Sequence, residues 1–220
     1  MKLLSHEEVR VLGSILEKQY TTPAYYPMTI NSITNACNQK SSRNPVVSYD
    51  ESLVEDIISG LRDKQLSGIV TSSDYRVPKY TQVFGRHYNL SIKEVAVLCV
   101  LFLRGAQTVG EIRSRTSRIY NFNNLNEVHE TFDKLMNRED DPFIIKLPKD
   151  SGREHRYTHL FCGEPEITVP TEKVEKESLE TKVNNLEEEV RNLREEITTM
   201  KNEFNQFRKE FEWIFDGIKS

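Results

Sequence analysis

The sequence predicts a mainly α-helical fold with small β-hairpins, and three observations predict it. Leu4-Ser5-His6-Glu7-Glu8-Val9-Arg10-Val11-Leu12 returns 86 positions later as Leu90-Ser91-Ile92-Lys93-Glu94-Val95-Ala96-Val97-Leu98, with Leu, Ser, Glu, Val, Val and Leu in register. Tyr80-Thr81-Gln82-Val83-Phe84 likewise returns as Tyr157-Thr158-His159-Leu160-Phe161. Self-similarity at fixed separation marks a unit copied in tandem, here of about 80 residues. Second, helix-start signals precede runs of apolar residues at helical spacing. Third, an apolar seam runs through the last 40 residues or so of the chain at spacings of four and three.

Within each copy, a small polar residue followed three places later by Glu marks a helix start, because the two side chains satisfy each other's orphaned amides. Ser5/Glu8, Ser48/Glu51, Ser91/Glu94, Thr108/Glu111 and Asn124/Glu127 fit. Behind them, Leu53, Val54, Ile57, Ile58 and Leu61, and Leu125, Val128, Phe132 and Leu135, form the expected buried faces. Each copy then changes to a strand, turn, strand pattern. Gly68–Thr71 leads to Tyr80–Phe84, and Phe143–Leu147 leads to Tyr157–Phe161. Three helices followed by a hairpin is the order of a winged helix. The expected organisation is a first winged-helix domain over 1–89, a second over 90–165, and a linker with a C-terminal coiled-coil helix over 166–220.

In that last segment the seam runs through Leu179, Val183, Leu186, Val190, Leu193, Ile197, Met200, Phe204, Phe207 and Phe211. Val183, Val190 and Ile197 take heptad position a and the leucines position d, the combination that favours two parallel strands. In a parallel pair the facing charges Lys182 with Glu187, Glu189 with Arg194, Glu196 with Lys201, and Glu203 with Arg208 are all opposite in sign. A parallel homodimer is the expectation. The competing one is that the helix folds back onto its own domains.

The 220 residues carry a net charge of -4. Divided along the chain, residues 1–89 carry +1, residues 90–165 zero and residues 166–220 the remaining -5. Any anion site must therefore be a local patch. No apolar run is long enough to span a membrane, and MKLLSHEEVR turns charged too soon for a signal peptide, so the expected compartment is the cytoplasm. Cys37, Cys99 and Cys162 are too scattered for a disulfide framework or a zinc knuckle.

The polar string Asn35-Ala36-Cys37-Asn38-Gln39-Lys40-Ser41-Ser42-Arg43-Asn44-Pro45 ends the second helix and enters a link longer than the usual helix-turn-helix connection. Asn and Ser side chains can hold such a turn by bonding local backbone. Lys40 and Arg43 are read as exposed charges, free to meet an anion or a carboxylate. Asn35, Asn38, Gln39, Lys40, Ser41, Ser42 and Arg43 are thus a candidate ligand or partner loop, with a purely structural loop as the rival reading.

Together with Thr21-Thr22-Pro23, Tyr26-Pro27-Met28-Thr29-Ile30-Asn31 and Arg104-Gly105-Ala106-Gln107-Thr108, this string resembles the bacterial YceH-like family over roughly residues 4–165. The resemblance implies paired winged-helix units and brings no activity, cofactor or site with it.

A winged helix usually reads DNA with its third helix and touches the backbone with its wing. Both third helices here are acidic on balance, with Glu51, Glu55, Asp56 and Asp63 against Arg62 and Lys64 in one and Glu127, Glu130 and Asp133 against Lys134 in the other. Phosphate contact therefore falls to Arg113, Arg115 and Arg118 after the fifth helix, Lys146, Lys149, Arg153 and Arg156 on the second hairpin, and Arg76, Lys79 and Arg86 near the first. His155, His159 and Cys162 do not share one face of an extended strand, so no metal site is expected. No phosphate-binding, dinucleotide or catalytic-triad signature occurs. The expectation is a non-enzymatic protein without cofactor, associated with nucleic acid through basic wings; the alternative is a protein-interaction scaffold using the acidic third helices and the polar loop.

Overall fold

The computed structural model describes residues 2–73, 75–139, 141–149 and 154–165, and in the tail Val190, Arg191, Arg194, Ile197, Thr198 and Lys201. Met1–Ile167 forms one compact unit and Thr168–Ser220 a second.

The first unit is mainly helical with two small antiparallel hairpins, and the repeat is visible in its element order. The first copy runs α1 (His6–Thr21), a 3-10 turn at Pro23–Tyr25, α2 (Ile30–Cys37), α3 (Glu51–Asp63), β1 (Ser67–Val70) and β2 (Lys79–Gln82), and closes on a short α4 (Phe84–His87). The second runs α5 (Ile92–Arg104), α6 (Val109–Arg115), α7 (Leu125–Met136), β3 (Ile144–Lys146) and β4 (Tyr157–His159). Each hairpin also pairs with one residue that precedes the second helix of its copy: Met28 bridges Tyr80, and Gln107 bridges Tyr157.

Three helices begin with full reciprocal capping boxes, Ser5/Glu8, Ser91/Glu94 and Thr108/Glu111, where sequence placed them. Two starts differ. The cap of α3 is Asp50, bonding Leu53 N, so the expected Ser48/Glu51 box lies two residues early. At α7, Asn124 caps Glu127 N, but the Glu127 carboxylate reaches back to Asn123 N at 2.8 Å, one residue beyond the expected partner. In both, an Asx side chain wins the cap because it accepts from the third amide at good geometry.

The core is continuous across the copies. Helices α1 and α5, the same element of each copy, cross at the same repeat position. Cys99 Sγ donates to Gly13 O at 3.6 Å, and a Cβ on Gly13 would stand 2.9 Å from Phe102 Cβ. Phe84 and Phe161, again repeat equivalents, meet edge to face at 5.3 Å, with Phe102 against both. Leu4 N, ahead of α1, donates to Phe161 O of the second copy at 2.7 Å; Leu90 N, ahead of α5, donates to Gly85 O of the first at 2.8 Å. The start of α1 is thus tied to the end of the second copy's hairpin, whereas the Leu90 bond closes α4 just ahead of α5. The expected buried faces hold except at Leu53 and Leu125, which are 38% and 45% exposed. Both sit in the first turn, where the helix has not yet turned onto the core.

In the tail, the described positions Val190, Arg191, Arg194, Ile197, Thr198 and Lys201 are helical, and Thr198 Oγ1 donates to Arg194 O at 2.8 Å. Val190 and Ile197 are exposed. Leu179, Val183, Leu186, Leu193, Met200, Phe204, Phe207 and Phe211 lie outside the described residues. No helix among the described residues is long and apolar enough to cross a membrane.

Candidate functional site

The polar loop leaves α2 at Asn38 and reaches α3 at residue 51. Asn38 closes it, its amide donating to Tyr49 O at 2.7 Å and accepting from Tyr49 N at 2.8 Å. Ser42 takes φ +61°, which turns the chain so that Arg43 points inward. The guanidinium of Arg43 then forks onto Glu17 of α1, at 3.1 Å to Oε1 and 2.6 Å to Oε2, and bonds Ala36 O at 3.0 and 2.8 Å. Its side chain is fully buried. The expectation of exposed charge therefore holds for Lys40 and is corrected for Arg43, which does meet a carboxylate, but one within its own chain. A planar guanidinium satisfied on both edges is the arrangement that tolerates burial. Arg10, also buried, donates to Pro45 O on the far limb of the loop, and Asn44 N donates to Leu103 O at 2.8 Å. Burial first, and the nearby Arg43 charge second, push the Arg10 pKa down. Of the remaining loop candidates, Asn35 Nδ2 bonds Asn31 at 3.1 Å and Asn35 and Ser41 are exposed, while Gln39 and Ser42 are half-buried.

Part of the expected basic surface is spent on the protein itself. Arg113 donates to Phe122 O at 3.4 Å and Asn123 O at 3.0 Å, holding the loop ahead of α7. Arg115 bonds the Gln107 side-chain oxygen and lies 3.3 Å from Glu111. Arg156 bonds Ala106 O at 2.8 Å and the same Glu111 at 3.0 Å. Lys79 lies over the Tyr75 ring at 4.1 Å. Arg76, Arg86, Arg118, Lys146 and Lys149 are exposed, and Arg153 is outside the described residues.

The third helices turn their acidic residues outward. Glu51, Glu55, Asp56 and Asp63 of α3 are exposed, as are Glu130 and Asp133 of α7. Glu127 instead gathers Lys93 at 2.8 Å, Tyr120 Oη at 2.7 Å and Asn123 N at 2.8 Å; these bonds, that to Lys93 foremost, hold its carboxyl down at about 2.

The loops that follow the second helices, one from each copy, line a common cleft of about 490 Å³ beside the C-terminal ends of α1 and α5. Its walls include Glu17, Ser41 and Ser42 from the first copy and Arg104, Ser114, Arg115 and Arg118 from the second. Sequence reasoning missed Arg104, Ser114 and Glu17. A signal was available: Ser and basic residues are mixed in Lys40-Ser41-Ser42-Arg43 of the first loop and in Arg113-Ser114-Arg115-Thr116-Ser117-Arg118, which ends α6 and enters the second loop, so Arg113 and Arg115 lie within the helix rather than after it. On β4, His159 stacks edge-on against Phe102 at 5.0 Å with its Nδ1 buried and unbonded, and burial lowers its pKa to about 4. No group of three or more His, Cys, Asp or Glu side chains that could hold a metal lies among the described residues.

Residues 4–153 match the family described as Protein of unknown function, DUF480. A UPF0502 protein of Opitutus terrae is 47% identical over 169 residues, covering 76% of this chain and 74% of that protein. One from Solibacter usitatus is 48% identical over 165 residues, covering 74% and 78%. UPF0502 protein YceH of Escherichia fergusonii is 44% identical over 171 residues, covering 76% and 80%. With the family model spanning residues 4–153 and this identity over most of its length, the chain belongs to the DUF480 family, the YceH-like UPF0502 proteins.

Proposed function

We propose that this is a cytoplasmic, non-enzymatic protein built of two tandem winged helices, acting as a protein-interaction scaffold through its acidic third helices. The winged-helix reading is supported by the two extra bridges, Met28 to Tyr80 and Gln107 to Tyr157, which supply the short first strand of that fold in each copy. The observation that carries the function is the acidity of the solvent-facing side of α3, where Glu51, Glu55, Asp56 and Asp63 are all exposed and Leu53 is partly so. Four carboxylates on the helix that would enter a groove repel phosphate. The same residues suit a basic protein surface, with Leu53 as a small apolar anchor. A parallel homodimer through the tail belongs to this reading, supported by the exposure of Val190 and Ile197 at two successive a positions.

Nucleic-acid association is the second reading, favoured by Lys146 and Lys149, which stand exposed on and just after β3. The two separate in one experiment. Partners captured from lysate should persist after nuclease treatment and be lost from the double variant Glu55→Arg, Asp56→Arg. Capture that vanishes with nuclease, or that the charge reversal leaves intact, contradicts the scaffold.

A further inference from the structure

We propose that the cleft between the two repeat copies binds a small phosphate-bearing anion, a phosphomonoester or pyrophosphate group, through Arg104, Arg115 and Arg118. The proposal does not rest on the scaffold reading. It begins from the local charge balance. Three guanidinium groups line the cleft against one carboxylate, Glu17, and that carboxylate is already forked onto Arg43. Arg115 is partly compensated by Glu111, which Arg156 shares. Neither Arg104 nor Arg118 makes a side-chain hydrogen bond or ion pair among the described residues. Arg104 is half-buried, and its pKa is lowered by burial first and by the neighbouring Arg115 next. An unpaired, partly desolvated guanidinium beside a second one is unfavourable unless an anion completes the site.

The helix ends do not supply that anion. Helices α1 and α5 both finish at the cleft, and each C-terminus brings only about half a negative charge. Moreover, the carbonyls of Arg104, Gly105 and Ala106 at the end of α5 are already taken by the Gln107 amide at 3.0, 3.3 and 2.9 Å. Neutral donors are at hand in Ser41 and Ser42 of one loop and Ser114 and Ser117 of the other. Guanidinium forks with hydroxyls around a small concavity match a tetrahedral oxyanion. The volume, near the lower end of the range for ligand sites, suits a compact molecule. Duplex binding would instead spread its cations along a groove edge, and here they converge from α5, α6 and one loop.

Calorimetric titration of the full-length chain with inorganic pyrophosphate at low salt tests this. The expected result is saturable binding at one site per chain with Kd below about 1 mM, weakened at least about tenfold by Arg118→Ala and by Arg104→Gln, the usual loss for one hydrogen bond to a charged group. Arg118 is exposed and unpartnered, so its replacement leaves the fold intact. Lys149→Ala, outside the cleft, should leave Kd unchanged. Absence of heat up to about 10 mM pyrophosphate would overturn the proposal. So would equal weakening by Lys149→Ala, unchanged binding in both arginine variants, or binding of a short DNA duplex that requires Arg118 while pyrophosphate does not bind.

Discussion

The two loops that follow the second helices occupy the same place in the repeat, yet they manage charge in opposite ways. In the first copy Arg43 turns inward and is neutralised by Glu17 on α1. In the second, the residue equivalent to Glu17 is Leu103, buried on α5, so no carboxylate faces the arginines from that position. Among the described residues, Arg104 and Arg118 at the cleft make no side-chain hydrogen bond or ion pair. The first copy thus uses an arginine as a structural clamp where the second leaves cationic surface at the cleft. The hairpins differ in the same sense. Gln82 on β2 is buried with its amide on Gln19, whereas its equivalent on β4, His159, is left with a buried unbonded nitrogen.

Breaking the clamp should have the largest effect. Arg43→Ala removes one partner of a buried pair and orphans Ala36 O, so it should cost about 3 to 5 kcal/mol. At roughly 2 to 4 °C per kcal/mol for a chain of this size, the melting temperature should fall by around 10 °C. Calorimetry checks it; a change under 2 °C would mean that the clamp adds nothing. Next comes His159. Its unfolded imidazole takes up a proton near pH 6.5, the folded one only near pH 4, so the stability it contributes is complete above about pH 6.5 and is lost as pH falls toward 4. The loss should be about 1 to 3 kcal/mol. His159→Gln, which makes the second copy resemble the first, should flatten that part of a urea-denaturation pH profile.

Two helical glycines then sharpen the view of the interface between copies. At Gly13 an added methyl meets the rigid Phe102 Cβ, and overpacking should exceed the helix-propensity gain, giving a net loss of about 1 kcal/mol for Gly13→Ala. At Gly60 the nearest atom is the movable Glu8 Oε1 at 3.3 Å, so Gly60→Ala should be neutral or stabilising by up to about 1 kcal/mol. Equal effects at the two sites would remove the close α1 and α5 crossing as an explanation. Smallest of all, Lys40→Ala should shift stability by less than about 0.5 kcal/mol in the same denaturation assay, since Lys40 is exposed on the loop that Arg43 anchors.

Much of the fold was legible in the sequence because it is local. Capping boxes and helical spacing each depend on residues a few positions apart, and the repeat of Leu4–Leu12 in Leu90–Leu98 is visible by comparing short strings. The site was much less legible. Nothing near Arg43 in sequence announces that Glu17, 26 residues earlier, will fork onto it, and an Arg in a polar string reads as solvated until its partner is placed. Arg113 and Arg156 reverse the same lesson, since their backbone acceptors, Asn123 O and Ala106 O, leave no trace in composition. Leu53 and Leu125 show the limit of periodicity in a first turn, where helical spacing continues but the core has not begun.

On the proposed reading, the outward surface of the third helices meets protein rather than nucleic acid. Fluorescence anisotropy of a labelled 20-base-pair duplex, titrated with the full-length protein at physiological salt to about 100 µM, covers ordinary non-specific affinities. The expected result is a flat trace, unaltered by Lys146→Ala with Lys149→Ala. A rising trace whose log affinity falls against log salt, and whose slope drops by up to about 2 in that double variant, would contradict it.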